Sequence, residues 1–259
     1  MQASMILGVG TLVGLFLGMV LFLELGRSLR LRMIEKDTEK TIAGLNVVEG
    51  ALFGLMGLVI AFTFSGAASR FDAKRQLIVD EANNIGTAYL RIDLLPEAAR
   101  PPLREKFRRY VDARLEAYRS LSAVAGASPQ MTTAAELQRE IWEQSVAACR
   151  ETTNPQAALL LLPALNAMFD IANTRFWATQ IHPPSIIFAL LATLALVCSL
   201  LAGFGMAGGR ARSWIHIVAF AAILTLTVYV IIDMEFPRIG LIRIVEFDRA
   251  LMDVGATMR

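Results

Sequence analysis

The 259-residue sequence contains few of the residues that enzymes use for nucleophilic chemistry or metal binding. Its two histidines and two cysteines are far apart in the chain, which leaves neither a metal-ligand spacing nor a disulfide framework. The motifs GxSxG, HExxH and CxxC are absent, as is a glycine-rich phosphate loop. No two acidic residues form a tight pair in an apolar setting, as acid/base catalysis requires. We therefore predict a protein that is not an enzyme and that carries no cofactor and no metal ion.

An excess of charge of one sign is also missing. The formal net charge is +2, and the basic residues are spread along predicted helices. Proteins that bind nucleic acid usually concentrate lysine and arginine in a block or on one face, often with aromatic residues between them. The charge pattern therefore disfavours nucleic acid as a partner.

Long uncharged apolar runs are abundant in this sequence. Hydrophobic residues make up 55% of it and the mean hydropathy is +0.52, too high for an ordinary soluble domain. Four runs account for the excess, and each is long enough to cross a lipid bilayer as a helix. The first has no basic n-region and no small-residue cleavage site after it, so we interpret it as a retained span. The predicted spans cover about residues 4–25, 47–69, 184–206 and 213–233.

The sequence is organised around residues 44–95, which we predict to begin as the second span and to continue outside the membrane as one helix. No proline interrupts this stretch before Pro96. Helical periodicity and helix-start signals dominate residues 70–182, and no two-residue strand alternation appears. The predicted fold is an all-α polytopic membrane protein with a helical domain inserted between the second and third of four spans. Its parts are a first hairpin (1–69), the helical domain (70–182), a second hairpin (183–233) and a C-terminal arm (234–259).

Two stripes of residues follow the predicted long helix. The first is a stripe of small residues in the span, which would let helix backbones approach closely in lipid: Gly50, Gly54, Gly57, Ala61, Ser65 and Ala68. The second is an apolar seam beyond the span: Ile78, Ala82, Ile85, Tyr89 and Ile92. Either both stripes pack within one subunit, or one of them faces a symmetry mate or a pore. We expect a homo-oligomer, because the two stripes offer more packing surface than four spans with short loops need.

A polar row is predicted on the last helix of the domain, at positions i, i+4 and i+7: Asn166, Asp170 and Asn173. It is either the more hydrated side of the helix or a hydrogen-bonding row against a neighbouring helix or subunit. Arg175 on the same helix is grouped with this row, and it is a candidate partner for an acid on the long helix, such as Asp72 or Asp80. Residues 241–247 alternate in polarity and could be extended, so the C-terminal arm is expected to lie against the domain.

The orientation is predicted from basic residues in the short loops. Residues 27–40 and 208–213 together hold seven, whereas none precedes the first span. The positive-inside rule then places both loops in the cytoplasm, with both termini and the helical domain outside.

Three segments resemble the bacterial bestrophin-like membrane proteins, a family of unassigned function: residues 52–91, residues 161–175 with 182–184, and residues 233–244. A shorter likeness, to the bestrophin anion channels, is confined to the second span and its exit. Ala61-Phe62 and Arg70-Phe71 match the small residue and phenylalanine of the span and the arginine-aromatic pair that follows it. The second likeness implies a pentamer in the lipid bilayer, an inorganic anion as the permeant ion and a pore lined by the second span. The first implies the bacterial inner membrane.

The same likeness implies a narrow apolar neck at Phe62, Leu58 and Gly54. Because Gly54 is not bulky, such a neck would have two apolar rings instead of three. The acidic calcium-binding cluster of bestrophins is missing, and their helical domain is cytosolic, contrary to the loop charges here. Two functions remain open: an oligomeric anion-permeable channel, or a non-conducting envelope scaffold whose exported domain, periplasmic in that case, binds a partner protein.

Overall fold

The computed structural model describes residues 2–33, 39–120, 129–207, 214–236, 242 and 248–258. All regular structure in these residues is helical, which confirms the all-α prediction. Two 3-10 turns, Ile92–Leu94 and Glu97–Ala99, separate the second and third helices. The helices are α1 (Gln2–Met33), α2 (Glu39–Arg91), α3 (Arg100–Ser120), α4 (Pro129–Glu151), α5 (Gln156–Ala178), α6 (Ser185–Met206), α7 (Trp214–Glu235) and α8 (Arg249–Thr257).

The second span and the first domain helix are one helix, α2, of 53 residues. It ends at Arg91, four residues before the predicted end. Leu95 is already extended (φ −85°, ψ 163°) because the ring of Pro96 disfavours helical geometry in the residue before it. The continuity of α2 therefore follows from the absence of proline, and its end follows from the first proline that appears.

Five helices among the described residues are long and apolar enough to cross a membrane. Four of them, α1, α2, α6 and α7, overlap the predicted spans, and the fifth is α5, which we predicted as a domain helix. On α5, the side chains of Leu161, Leu165 and Met168 are fully buried among domain residues. Length and composition alone do not separate a core helix from a span, so the four-span topology stays a prediction.

The chain divides into two compact units. The span unit comprises residues 2–70 and 182–241, and the domain unit comprises residues 71–181 and 242–259. The domain unit has its own apolar core, built around Phe107, Tyr110 and Ile141. The apolar seam of α2 faces this core, with all its members buried except the half-buried Tyr89. Of the two alternatives for the seam, packing within one subunit is what the structure shows.

In the span unit, α1 and α6 make a very close backbone contact at two glycines. A Cβ atom on Gly26 would lie 1.9 Å from the carbonyl oxygen of Leu200. A Cβ atom on Gly203 would lie 1.9 Å from the carbonyl oxygen of Leu23. Both distances are far inside van der Waals contact, so only glycine fits at either position. Small residues at helix crossings are typical of packing in lipid, where close backbone approach supplies the attraction.

The C-terminal helix α8 packs against α3 in the domain unit. Leu251 is fully buried, and the Nε group of Arg108 donates a hydrogen bond to the carbonyl oxygen of Met258 over 2.6 Å. The predicted extended run, residues 241–247, lies outside the described residues except for Ile242. What the structure describes of the arm is therefore mainly a helix.

Candidate functional site

The small-residue stripe of α2 is open in the described structure. A Cβ atom on Gly50, Gly54 or Gly57 would meet no atom within 4 Å. Ala61 and Ser65 continue this exposed face toward the end of the span. The side of α2 that carries the small residues is therefore not covered by any described residue.

The three residues of the suggested neck lie on this open face. Phe62 is 70% exposed and Leu58 is 53% exposed, large fractions for apolar side chains. Gly54 is exposed too, and the spacing of four residues places all three on one line along the helix. This line of Gly54, Leu58 and Phe62 is hereafter called the open line. It can contact lipid, another subunit or a pore, but it makes no core within the span unit.

Packing on the opposite side of α2 fixes the direction in which the open line points. Met56 is buried against Leu194 and Cys198 of α6. Phe53 meets Phe220 of α7 edge to face, with 6.1 Å between the ring centroids. Because two neighbouring helices hold the helix from behind, a rotation that buried the open line would break both contacts.

Arg70, the first charged residue after the span, forms a salt bridge with an acid of α7. The Nε group of Arg70 donates to both carboxylate oxygens of Glu235, at 3.0 Å and 2.9 Å. The Glu235 side chain is 1% exposed, whereas that of Arg70 is 34% exposed. His182 also reaches this carboxylate, with its Nδ1 atom 3.6 Å from Oε1, and its ring packs on Phe236. We call Arg70, Glu235 and His182 the exit cluster.

Sequence reasoning identified Arg70 through the family resemblance but did not identify Glu235. A signal for it existed, because Glu235 closely follows the uncharged fourth run at the predicted bilayer edge. Acids at such a position are usually paired. The sequence does not say which of the nearby basic residues is the partner, since that depends on which helices are adjacent.

A second set of charges is buried in the domain unit. Glu81 of α2, which is 0% exposed, accepts hydrogen bonds from Nε of Arg114 at 2.5 Å and from Nη1 of Arg175 at 2.6 Å. Nη2 of Arg175 also donates to Asp248 at 3.0 Å. The guanidinium of Arg175 lies over the ring of Tyr118, 3.6 Å from its centroid. Two arginines and two acids thus form a buried network without net charge, hereafter the domain network.

Arg175 does pair with an acid on the long helix, but that acid is Glu81, and the two named candidates, Asp72 and Asp80, are wrong. Asp72 accepts instead from Arg75 one turn along the same helix, and Asp80 accepts from Gln76. The reason is that the three acids lie on different sides of α2. Glu81 lies beside Ala82 in the seam that faces the domain core, whereas Asp72 is exposed.

The predicted polar row is exposed, but Arg175 does not belong to it. Asn166, Asp170 and Asn173 all lie on the exposed side of α5, while Arg175 is buried on the other side. Their role toward a neighbouring subunit stays a prediction. Among the described residues, no group of histidine, cysteine and acidic side chains has the arrangement of a metal site.

Burial and the domain network shift pKa values in the domain unit. Burial, the largest single cause, acts to lower the pKa of Arg114, but Glu81, Tyr118 and Tyr110 together raise it by more, so the net direction is upward. Burial also raises the pKa of Tyr110 above its ordinary value. These groups therefore keep their charge state throughout the physiological range, which suits a structural network better than a proton-transfer site.

The sequence and the fold were compared with those of known proteins. A family model for the Bestrophin-like domain matches residues 13–246. The fold is similar to two crystal structures of a bacterial bestrophin homologue from Klebsiella pneumoniae, one carrying a tryptophan and the other a tyrosine substitution. The first covers 96% of this chain and 98% of its own, with a TM-score of 0.67 and 12% identity. The second covers 95% and 99%, with a TM-score of 0.69 and 12% identity. No curated protein matches the sequence.

Proposed function

This chain belongs to the Bestrophin-like family, and we propose that it forms an oligomeric membrane channel whose pore is lined by α2. The observation that carries the proposal is the open line. A span held from behind by two helices presents Leu58 and Phe62 to the outside, one turn apart. In a ring of subunits, these side chains would form a narrow apolar constriction. Such a constriction gates ion flow by dewetting and needs no charged group.

The topology we propose has four spans, α1, α2, α6 and α7, with α5 in the extramembrane domain. The support is the position of Arg175 near the end of α5, where it belongs to the buried domain network. An arginine in a span is costly, and here the charge is balanced by acids of the domain unit. The Leu161, Leu165 and Met168 side chains of the same helix complete the domain core.

For the ion and the assembly, we propose an inorganic anion and a pentamer in a bacterial inner membrane. The family resemblance supports both, and α2 carries no charge from Gly50 to Ser69 that would oppose an anion. The test is purified protein in liposomes loaded with chloride, with flux followed by a chloride-sensitive dye. We expect flux above that of protein-free liposomes from a particle that light scattering shows to be oligomeric. A monomeric particle, or an intact oligomer without ion flux, would refute the proposal.

A second candidate function is a non-conducting scaffold whose domain binds another envelope component. It is favoured by the seven basic residues of the two short loops, which predict an exported domain. The bestrophin arrangement instead has the domain in the cytosol. The side of the membrane on which the domain lies therefore separates the two candidates.

A further inference from the structure

We infer that Glu235 sets the ion preference of the proposed pore by neutralising Arg70, the first charged residue after the pore-lining span. The inference rests on the proposed channel function and adds to it a residue that determines selectivity. Residues 50–69 of α2 carry no charge, so Arg70 is the first charged site that a permeating ion meets on this helix beyond the end of that run.

The geometry shows that Arg70 is held and not merely near an acid. Its Nε group donates to both oxygens of Glu235, at 3.0 Å and 2.9 Å. Its guanidinium lies back over α2, so that a Cβ atom on Gly66 would be 3.2 Å from Nη1. Glycine at position 66 thus makes room for the arginine beside its own helix. The guanidinium is thus held between its own helix and Glu235 of α7.

The two members of this pair differ in their environment. Glu235 is buried, whereas one third of the Arg70 side chain is exposed. Arg70 therefore remains in contact with water, and Glu235 acts on a passing ion through the charge of Arg70. If Glu235 loses its charge, a positive charge at the exit is no longer compensated, and it is repeated once in every subunit.

The expected size of the effect follows from simple electrostatics. One uncompensated charge at about 10 Å from the ion path, with an effective dielectric constant of about 20 and physiological screening, changes the local concentration of a monovalent ion by roughly twofold, upward for an anion and downward for a cation. The anion-to-cation ratio therefore changes by roughly fivefold. The charge of a ring adds over its subunits, so a change of roughly fivefold is the lower end of the expectation.

The experiment compares three variants in planar bilayers with a potassium chloride gradient, and the readout is the reversal potential. Glu235→Gln keeps the size of the side chain and should shift the chloride-to-potassium permeability ratio toward chloride, by about fivefold or more. Arg70→Gln leaves the acid and should shift the ratio toward potassium. The double variant should return the ratio close to that of the wild type. A structural role of the pair would not produce shifts of opposite sign.

Each result decides the inference separately from the channel proposal. A wild-type protein that assembles but does not conduct refutes the proposed function. A conducting protein whose reversal potential is the same in the wild type and both single variants refutes only the role of Glu235. Assembly of every variant is checked by light scattering. If Glu235→Gln does not assemble, Arg70→Gln decides: a shift toward potassium supports the inference and no shift overturns it.

Discussion

Arg175 of α5 donates through Nη1 to Oε2 of Glu81 on α2, over 2.6 Å, in a part of the domain unit from which water is excluded. Arg114 donates to the other oxygen of the same carboxylate. One acid of α2 therefore holds two arginines that belong to two other helices. The long helix is tied to the domain by this carboxylate as well as by its apolar seam.

Removal of the Glu81 charge should therefore destabilise the domain strongly. Glu81→Gln leaves two buried arginines with Asp248 as the remaining acid of the domain network, a loss of about 3–5 kcal/mol. We expect a clearly lower melting temperature of the purified protein in detergent. Asp80→Asn is the matched control, because Asp80 is the preceding residue and its side chain accepts from Gln76, outside the domain network. Equal melting temperatures for the two variants would contradict the role of the domain network.

The close contact between α1 and α6 at Gly26 and Gly203 leads to a second prediction. Gly203→Ala would place a methyl group against the carbonyl oxygen of Leu23, so α1 and α6 would have to separate. Overpacking of this kind costs about 1–3 kcal/mol and should lower the melting temperature and the yield of folded protein. Gly205→Ala is the control two residues along, because its nearest neighbour would be 3.4 Å away, at a flexible Glu49 side chain. A loss of similar size in both variants would contradict the close crossing.

Much of the fold could be predicted from local sequence patterns. Uncharged runs located α1, α2, α6 and α7, and the absence of proline predicted the continuity of α2. The partner of Arg175, the pairing of Glu235 with Arg70 and the crossing at Gly26 could not be predicted in this way. Each of these features depends on which helices are adjacent, and spacing along one helix carries no information on that. The error with Asp72 and Asp80 has the same origin, because both were proposed for their charge and not for the side of α2 on which they lie.

The stripe of small residues leads to a prediction about assembly. A Cβ atom on Gly57 meets nothing within 4 Å in the chain, so Gly57→Leu should leave the subunit fold intact. If the stripe packs against a second subunit, the larger side chain should weaken the oligomer. The measurement is light scattering over a dilution series in detergent, with Leu55→Met as a control of nearly unchanged volume on the same helix. An oligomer of unchanged stability in the Gly57→Leu variant would exclude the stripe as an interface.

The orientation of the domain separates channel from scaffold. The bestrophin arrangement requires a cytosolic domain, so Asn166→Cys on the exposed side of α5 should be protected from an impermeant maleimide in intact cells. Labelling only after lysis would support this arrangement, and labelling in intact cells would favour the scaffold. The native thiols give little background: Cys198 is buried, and burial raises the pKa of Cys149, so little reactive thiolate is present at neutral pH.

The last prediction concerns Phe62, the bulkiest residue of the open line. If the open line faces a pore, Phe62→Ala should widen the constriction and raise ion flux in liposomes, because a wider apolar neck stays hydrated. Phe62 is 70% exposed within its own chain, so the subunit should not suffer the loss of roughly 3–5 kcal/mol that truncation of a buried phenylalanine causes. Phe64→Ala is the matched control, since Phe64 is also exposed but points about 200° away on a helical wheel. Higher flux from Phe62→Ala alone, with the oligomer intact, would support the pore. Unchanged flux in an intact oligomer would refute it, and a loss of oligomer would instead place Phe62 in a contact between subunits.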